Sequence, residues 1–170
     1  MTTAEALARF DALPGLDPQD LVGAWRGQTL STGHPLDGLL EALGWHGKLV
    51  ESPDRVHPLL FRLRSGRVVP MEPALMPTPV ALRWPRLARS APTRAAFAVL
   101  GPLLRARGPA AKLALREVRG HRSAALVYDS QPITDYLRLA DEDRVVGLME
   151  RKGMAAPFFF LLTREEGEVP

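Results

Sequence analysis

Apolar residues along this chain recur at two spacings, and each spacing predicts a type of element. Near the start, Leu7, Phe10 and Leu13 follow one another at intervals of three. Thr2 and Glu5 precede them as a capping box, so a helix is expected up to Pro14-Gly15. Asp17-Pro18 opens a second, very short helical turn. Leu36, Leu39, Leu40 and Leu43 form one apolar stripe, closed by Gly44, and predict a short helix. Between these lies a strand, Val22 to Leu30, with Trp25 set between Gly23 and Gly27.

From Trp45 the spacing shortens towards two. Lys48–Glu51, Val56–Arg64 and Arg67–Met71 read as strands separated by Ser52-Pro53-Asp54 and Ser65-Gly66. Phe61 and Leu63 alternate with Arg62 and Arg64, which gives one dry and one wet face. A proline-punctuated connection leads into 81–107, expected to be helical with breaks around Pro92 and Gly101-Pro102. The last third predicts antiparallel strands. Lys112–Arg119 and Arg122–Tyr128 flank a turn at Gly120-His121, and Ile133–Leu139 and Val145–Arg151 flank residues 140–143. Pro157–Thr163 is the final strand. Seven to nine short strands with two or three helices predict a mainly β protein, a single antiparallel barrel with helical insertions that cover it or its mouth.

Composition narrows the setting. A chain of 170 residues with 46% hydrophobic content supports one folded domain, 1–170. The absence of cysteine excludes disulfides and thiolate chemistry and fits a reducing compartment. The N-terminus lacks a signal-peptide pattern and no apolar run reaches membrane-spanning length, so a cytoplasmic location is expected. Charge is uneven: residues 81–122 carry ten Arg/Lys against one acid, Glu117. That segment suits an anionic surface such as lipid head groups, or is simply solvated. Only Trp84 and Phe97 interrupt its basic stretch with aromatics, and no helix-turn-helix or zinc-finger pattern is present, so no nucleic-acid partner is expected.

The segment Gly23-Ala-Trp-Arg-Gly27, followed by Thr32-Gly-His-Pro-Leu-Asp-Gly-Leu-Leu-Glu-Ala-Leu-Gly-Trp45, resembles the GXWXG-domain family. Ser123 through Asp135, with Val146-Gly-Leu-Met149, resembles the C-terminal domain of unknown function that members carry. The two resemblances span about residues 20–64 and 108–165, on either side of the basic helical insertion 81–107. They imply a calycin-like barrel that binds lipid or another apolar ligand. The Gly-x-Trp opening is also similar to lipocalins, in which an arginine of the last strand lies across the tryptophan of the first; Arg164 is the corresponding residue here. Where the family often has an aromatic pair or a histidine after the position of Asp135, this chain has Tyr136-Leu137.

The expected interior is drawn from Trp25, Trp45, Phe61, Leu63, Leu126, Tyr128, Leu148 and Phe159, with His46 able to face the lumen. Asp135 shares a strand face with Ile133, Leu137 and Leu139, so it needs a partner. Either it is a polar anchor or general base in a cavity, or it pairs structurally with an arginine such as Arg26. His34, His46, His57 and His121 have no metal-site spacing, and no nucleotide or serine-hydrolase motif occurs, so no metal, cofactor or catalytic set is expected. The functional expectation is non-enzymatic binding of a fatty acid or phospholipid, with Arg83, Arg86 and Arg89 meeting a head group or an anionic membrane. The competing expectation is an enzyme using His46 and Asp135 as an acid–base pair on a small hydrophobic substrate.

Overall fold

Thr2 accepts the Glu5 amide while the Glu5 carboxylate accepts the Thr2 amide, and this box starts helix α1, Thr3–Asp11. The computed structural model describes residues 1–166. A 3-10 turn, Pro18–Leu21, leads into β1, Gly23–Thr29. Helix α2 is only Leu39–Ala42, shorter than the leucine stripe predicts, because Gly38 in the left-handed region precedes it. Three strands follow: β2, Trp45–Ser52; β3, Arg55–Arg62; and β4, Val68–Pro70.

The helical segment begins before residue 81. It comprises a 3-10 turn at Pro73–Leu75, α3 at Thr78–Arg83, α4 at Pro85–Ala88, α5 at Ala91–Leu100 and a final 3-10 turn at Gly101–Leu104. Pro92 does not break a helix as expected. It occupies the first turn of α5, where its missing N–H costs nothing, and Ser90 caps that helix through the Thr93 amide. The remaining strands are β5, Ala111–Val118; β6, His121–Tyr128; β7, Ile133–Asp141; β8, Arg144–Arg151; and β9, Phe158–Glu165. The β5–β6 turn lies one residue earlier than predicted. Val118 pairs with His121, leaving Arg119 (φ 49°) and Gly120 (φ 77°) as its two residues, both left-handed as such hairpins require.

Strands β1, β2, β3, β5, β6, β7, β8 and β9 close into an eight-stranded antiparallel barrel, with β4 added beside β3. The wall is thin in one place. β3 meets β5 through the Val56–Ala111 pair, then turns away to pair with β4 through Leu60, Phe61 and Arg62. The chain between β4 and β5, which carries α3–α5, lies over this divergence.

Two glycines are fixed by the barrel interior. A side chain on Gly27 would overlap the Trp45 indole, which sits directly on its Cα. Gly47 (φ 151°) opposes Arg26 at a register shift in β2, and a side chain there would strike the Trp25 carbonyl. This bulge breaks the alternation, so that Trp45, Lys48 and Val50 all join the interior. Outside the barrel, α1 packs on β8 and β9 through Ala6, Phe10, Leu148 and Phe159, with Phe10 edge-on to Phe159 at 6.4 Å. Leu148 and Phe159 are therefore not lumen residues, contrary to expectation. Strands covered on both faces are apolar on both, and alternation cannot tell inside from outside.

Gly27→Ala is expected to destabilise the fold by about 1–3 kcal/mol through overpacking. The same change in a Trp45→Leu background is expected to cost less. Denaturant unfolding of the four-member cycle checks this.

Candidate functional site

Trp25 is held at the closed end of the barrel. Its indole Nε1–H donates to the Leu21 carbonyl at 2.7 Å, and the Arg164 guanidinium lies 4.3 Å from its ring. Arg164 also donates to the Val22 and Asp20 carbonyls, at 3.0 and 2.7 Å. The contact joins β9 to the turn before β1. Gly23 (φ 130°) leaves room for that guanidinium.

At mid-barrel, Lys48 reaches across from β2 to β7, strands on opposite sides of the closed wall. Its Nζ donates to Asp135 Oδ2 at 2.7 Å, to the Pro58 carbonyl at 3.1 Å and to the Tyr128 hydroxyl at 3.3 Å. It also sits 4.9 Å from the centre of the Phe160 ring. The Asp135 partner is thus Lys48 and not Arg26, whose guanidinium instead lies 3.8 Å from Glu165. Burial pushes the Asp135 carboxyl above its ordinary value, against the pull of Lys48 and of the Tyr128 hydrogen bond. Burial, reinforced by the Asp135 charge, pushes the Tyr128 phenol well above its own, so Tyr128 stays protonated and donates.

His46 takes no part in this cluster. Its Nε2 lies 2.7 Å from Glu165 and its Nδ1 3.3 Å from Arg62, so His46 and Asp135 are bonded to different partners and do not form an acid–base pair. The Gly47 bulge is the reason: it puts His46 and Lys48 on opposite sides of β2.

Above the cluster, a cavity of about 270 Å³ opens where β3 parts from β5. Leu59, Tyr128, Ile133 and Met149 form its floor; Leu36, Leu39, Leu40 and Leu43 form one wall; and residues of 73–97, from Pro73 to Phe97, roof it. The lining is almost wholly apolar. Of its three hydroxyls, Tyr128 is engaged with Asp135 and Lys48, and Thr93 donates to the Leu87 carbonyl at 2.8 Å, whereas Thr78 makes no side-chain hydrogen bond among the described residues. Among the expected ligand residues, Tyr128 alone lines this cavity. Trp25, Trp45, Phe61, Leu126 and Asp135 fill the barrel beneath it, with Phe61 contacting Phe97 of the roof at 5.5 Å. The barrel interior is packed and the space lies at its mouth.

The roof is latched to the wall. Asp37 Oδ2 accepts the amides of Thr32, Gly33 and His34 at 2.9, 2.8 and 2.9 Å, folding that loop on itself. Arg89 then donates to the Pro35 and Asp37 carbonyls, both at 2.8 Å. Arg89 therefore fastens the roof and is not a free head-group ligand, unlike Arg83 and Arg86, which are exposed. His34 Nδ1 accepts the Leu36 amide at 3.1 Å, and its ring lies 5.5 Å from Phe158.

Comparisons with known proteins bear on the whole of this architecture. The model of the GXWXG protein family matches residues 8–66, and that of a domain of unknown function (DUF4334) matches residues 109–164. The chain is also similar to a protein from Thermomonospora curvata of known crystal structure, with 30% identity and a TM-score of 0.71 over 96% of this chain and 87% of that one. This chain belongs to the GXWXG family. Its two matched regions supply β1–β3 and β5–β9 of a single barrel, and the roof lies between them. No curated protein matches. The residues of the family's signature have structural roles here: Gly23 admits Arg164, Trp25 closes the barrel end and Gly27 seats Trp45.

Lys48→Met is expected to cost about 3–5 kcal/mol by stranding a buried carboxyl, and adding Asp135→Leu is expected to recover much of it. Thermal and denaturant unfolding of the three variants checks the expectation. For His34, burial depresses the imidazole below its ordinary value of 6.5, opposed by Asp37 and the Ala156 carbonyl. A depressed folded value means that stability is present above 6.5 and lost as pH falls through the folded value. Unfolding at about pH 7.5 and pH 5 should show this loss, and His34→Asn, which keeps an acceptor without the titration, should reduce it.

Proposed function

We propose that this protein binds one small, largely apolar ligand, of the kind of a single acyl chain, in the cavity at the barrel mouth. The observation that carries the reading is the cavity of about 270 Å³ walled by apolar side chains from three separate parts of the chain. A wall this apolar, with two of its three hydroxyls already bonded, asks for burial of hydrocarbon and little polar recognition. The volume lies just under the roughly 300–1,000 Å³ usual for ligand sites, which favours a fatty acid or similarly slender molecule. A phospholipid could place one chain there and not two.

Arg83 and Arg86 stand on the same short helices as the wall residues Val80, Ala81, Leu87 and Ala88. An acidic head group left at the mouth would meet positive charge there. Exchange requires the roof to lift from the Pro35–Asp37 loop, against the two Arg89 hydrogen bonds. The absence of cysteine supports a cytoplasmic setting for this role.

The neutral dye N-phenyl-1-naphthylamine should gain fluorescence on binding and be displaced by decanoic acid. Ala81→Phe, which fills the cavity from α3, should weaken both by about tenfold or more while leaving the melting temperature close to that of the parent. Equal dye binding by the parent and by Ala81→Phe would contradict the reading.

A further inference from the structure

The outer face of the roof is unlike the rest of the surface. Nine large hydrophobic side chains are exposed among the described residues, and seven of them lie between Leu75 and Leu103. Trp84 is 57% exposed and Leu103 76%. No helix of α3–α5 has a fully buried residue. Monomeric surfaces rarely concentrate apolar residues in this way without a partner.

Charge indicates which partner. From Glu72 to Glu117 the chain contains no acidic residue, but eight basic ones. Arg83, Arg86 and Arg94 are exposed and make no ion pair among the described residues. Trp84 lies beside the Arg83 guanidinium, 5.7 Å from its ring. An indole and aliphatic side chains interspersed with arginines, with acids excluded, match the interface of an anionic bilayer. A second copy of this chain would bring the same positive charge against itself.

The cavity and this face share residues. Val80 and Leu87 both line the cavity and are more than half exposed. We propose that α3 and α4 dock on an anionic lipid surface, with Trp84, Val80 and Leu87 inserted at head-group depth and Arg83 and Arg86 paired with lipid phosphates. The cavity mouth then faces the bilayer, and a chain passes between the two without crossing water. Docking rests on the ligand reading for its purpose but not for its occurrence.

The test is co-sedimentation with phosphatidylcholine vesicles, with and without phosphatidylglycerol, combined with quenching of tryptophan emission by brominated lipid. Trp25 and Trp45 are buried, so quenching reports on Trp84. Binding is expected on the anionic vesicles, weakened by salt, reduced about tenfold or more by Arg83→Glu with Arg86→Glu, and with quenching lost in Trp84→Phe. Absence of binding to anionic vesicles would overturn the proposal, as would binding without quenching. So would a dimer, seen by analytical ultracentrifugation, that Trp84→Ser dissociates, since the face would then belong to a second copy. The charge-reversed variant should still bind the naphthylamine dye. Failure of dye binding in the parent with intact vesicle docking would count against the cavity reading alone.

Discussion

A single charged contact spans the interior of this barrel, and the packing around it depends on its being satisfied. Lys48 on β2 and Asp135 on β7 come from opposite walls and meet at 2.7 Å, with Tyr128 and the Pro58 carbonyl completing the lysine's bonds. Two charges removed from water in this way stabilise a fold only when their remaining hydrogen bonds are made. Asp135 Oδ2 accepts from both Lys48 and Tyr128, while Oδ1 has no partner among the described residues. The aromatic side chains of Trp45, Phe160 and Tyr128 surround the ammonium group and shield it from solvent. The barrel is thereby braced across its width and filled in its middle. Above this contact, where β3 leaves β5 and the helical roof closes the gap, the cavity remains.

The roof is held differently, by contacts that can be broken one at a time. Its helices bury little, and Arg89 fastens them to a loop that Asp37 has folded. A packed barrel with a roof held by few contacts would suit the ligand binding we propose, since the less stable element could open while the strands stay closed. The exposed apolar and basic face belongs to that same element.

Much of this was legible in the sequence, and the exceptions have physical causes. The capping box, the β-hairpins and the Trp25–Arg164 contact depend on local chemistry or on a resemblance carried by few residues, and all are present in the structure. The Lys48 partner was not legible, since regular alternation puts Lys48 beside His46 and opposite Trp45. Gly47 in a strand interior was the available signal, because a glycine there often marks a bulge. Leu148 and Phe159 were misplaced because α1 covers the outside of β8 and β9, which hides the period. The roof's entry is hidden because Pro70, Pro73, Pro77 and Pro79 read as an irregular connection, although Pro73 and Pro79 lie in the first turns of helical segments.

The GXWXG signature thus marks how the barrel closes, and the ligand we propose would be recognised by the less distinctive leucines, prolines and alanines of the mouth. The most direct test of that claim is native mass spectrometry of protein purified without detergent, followed by solvent extraction of whatever it carries. One single-chain lipid or similar apolar molecule per protein, absent from the Ala81→Phe variant, is the expected result. A bare mass that stays bare after incubation with a total lipid extract would contradict it.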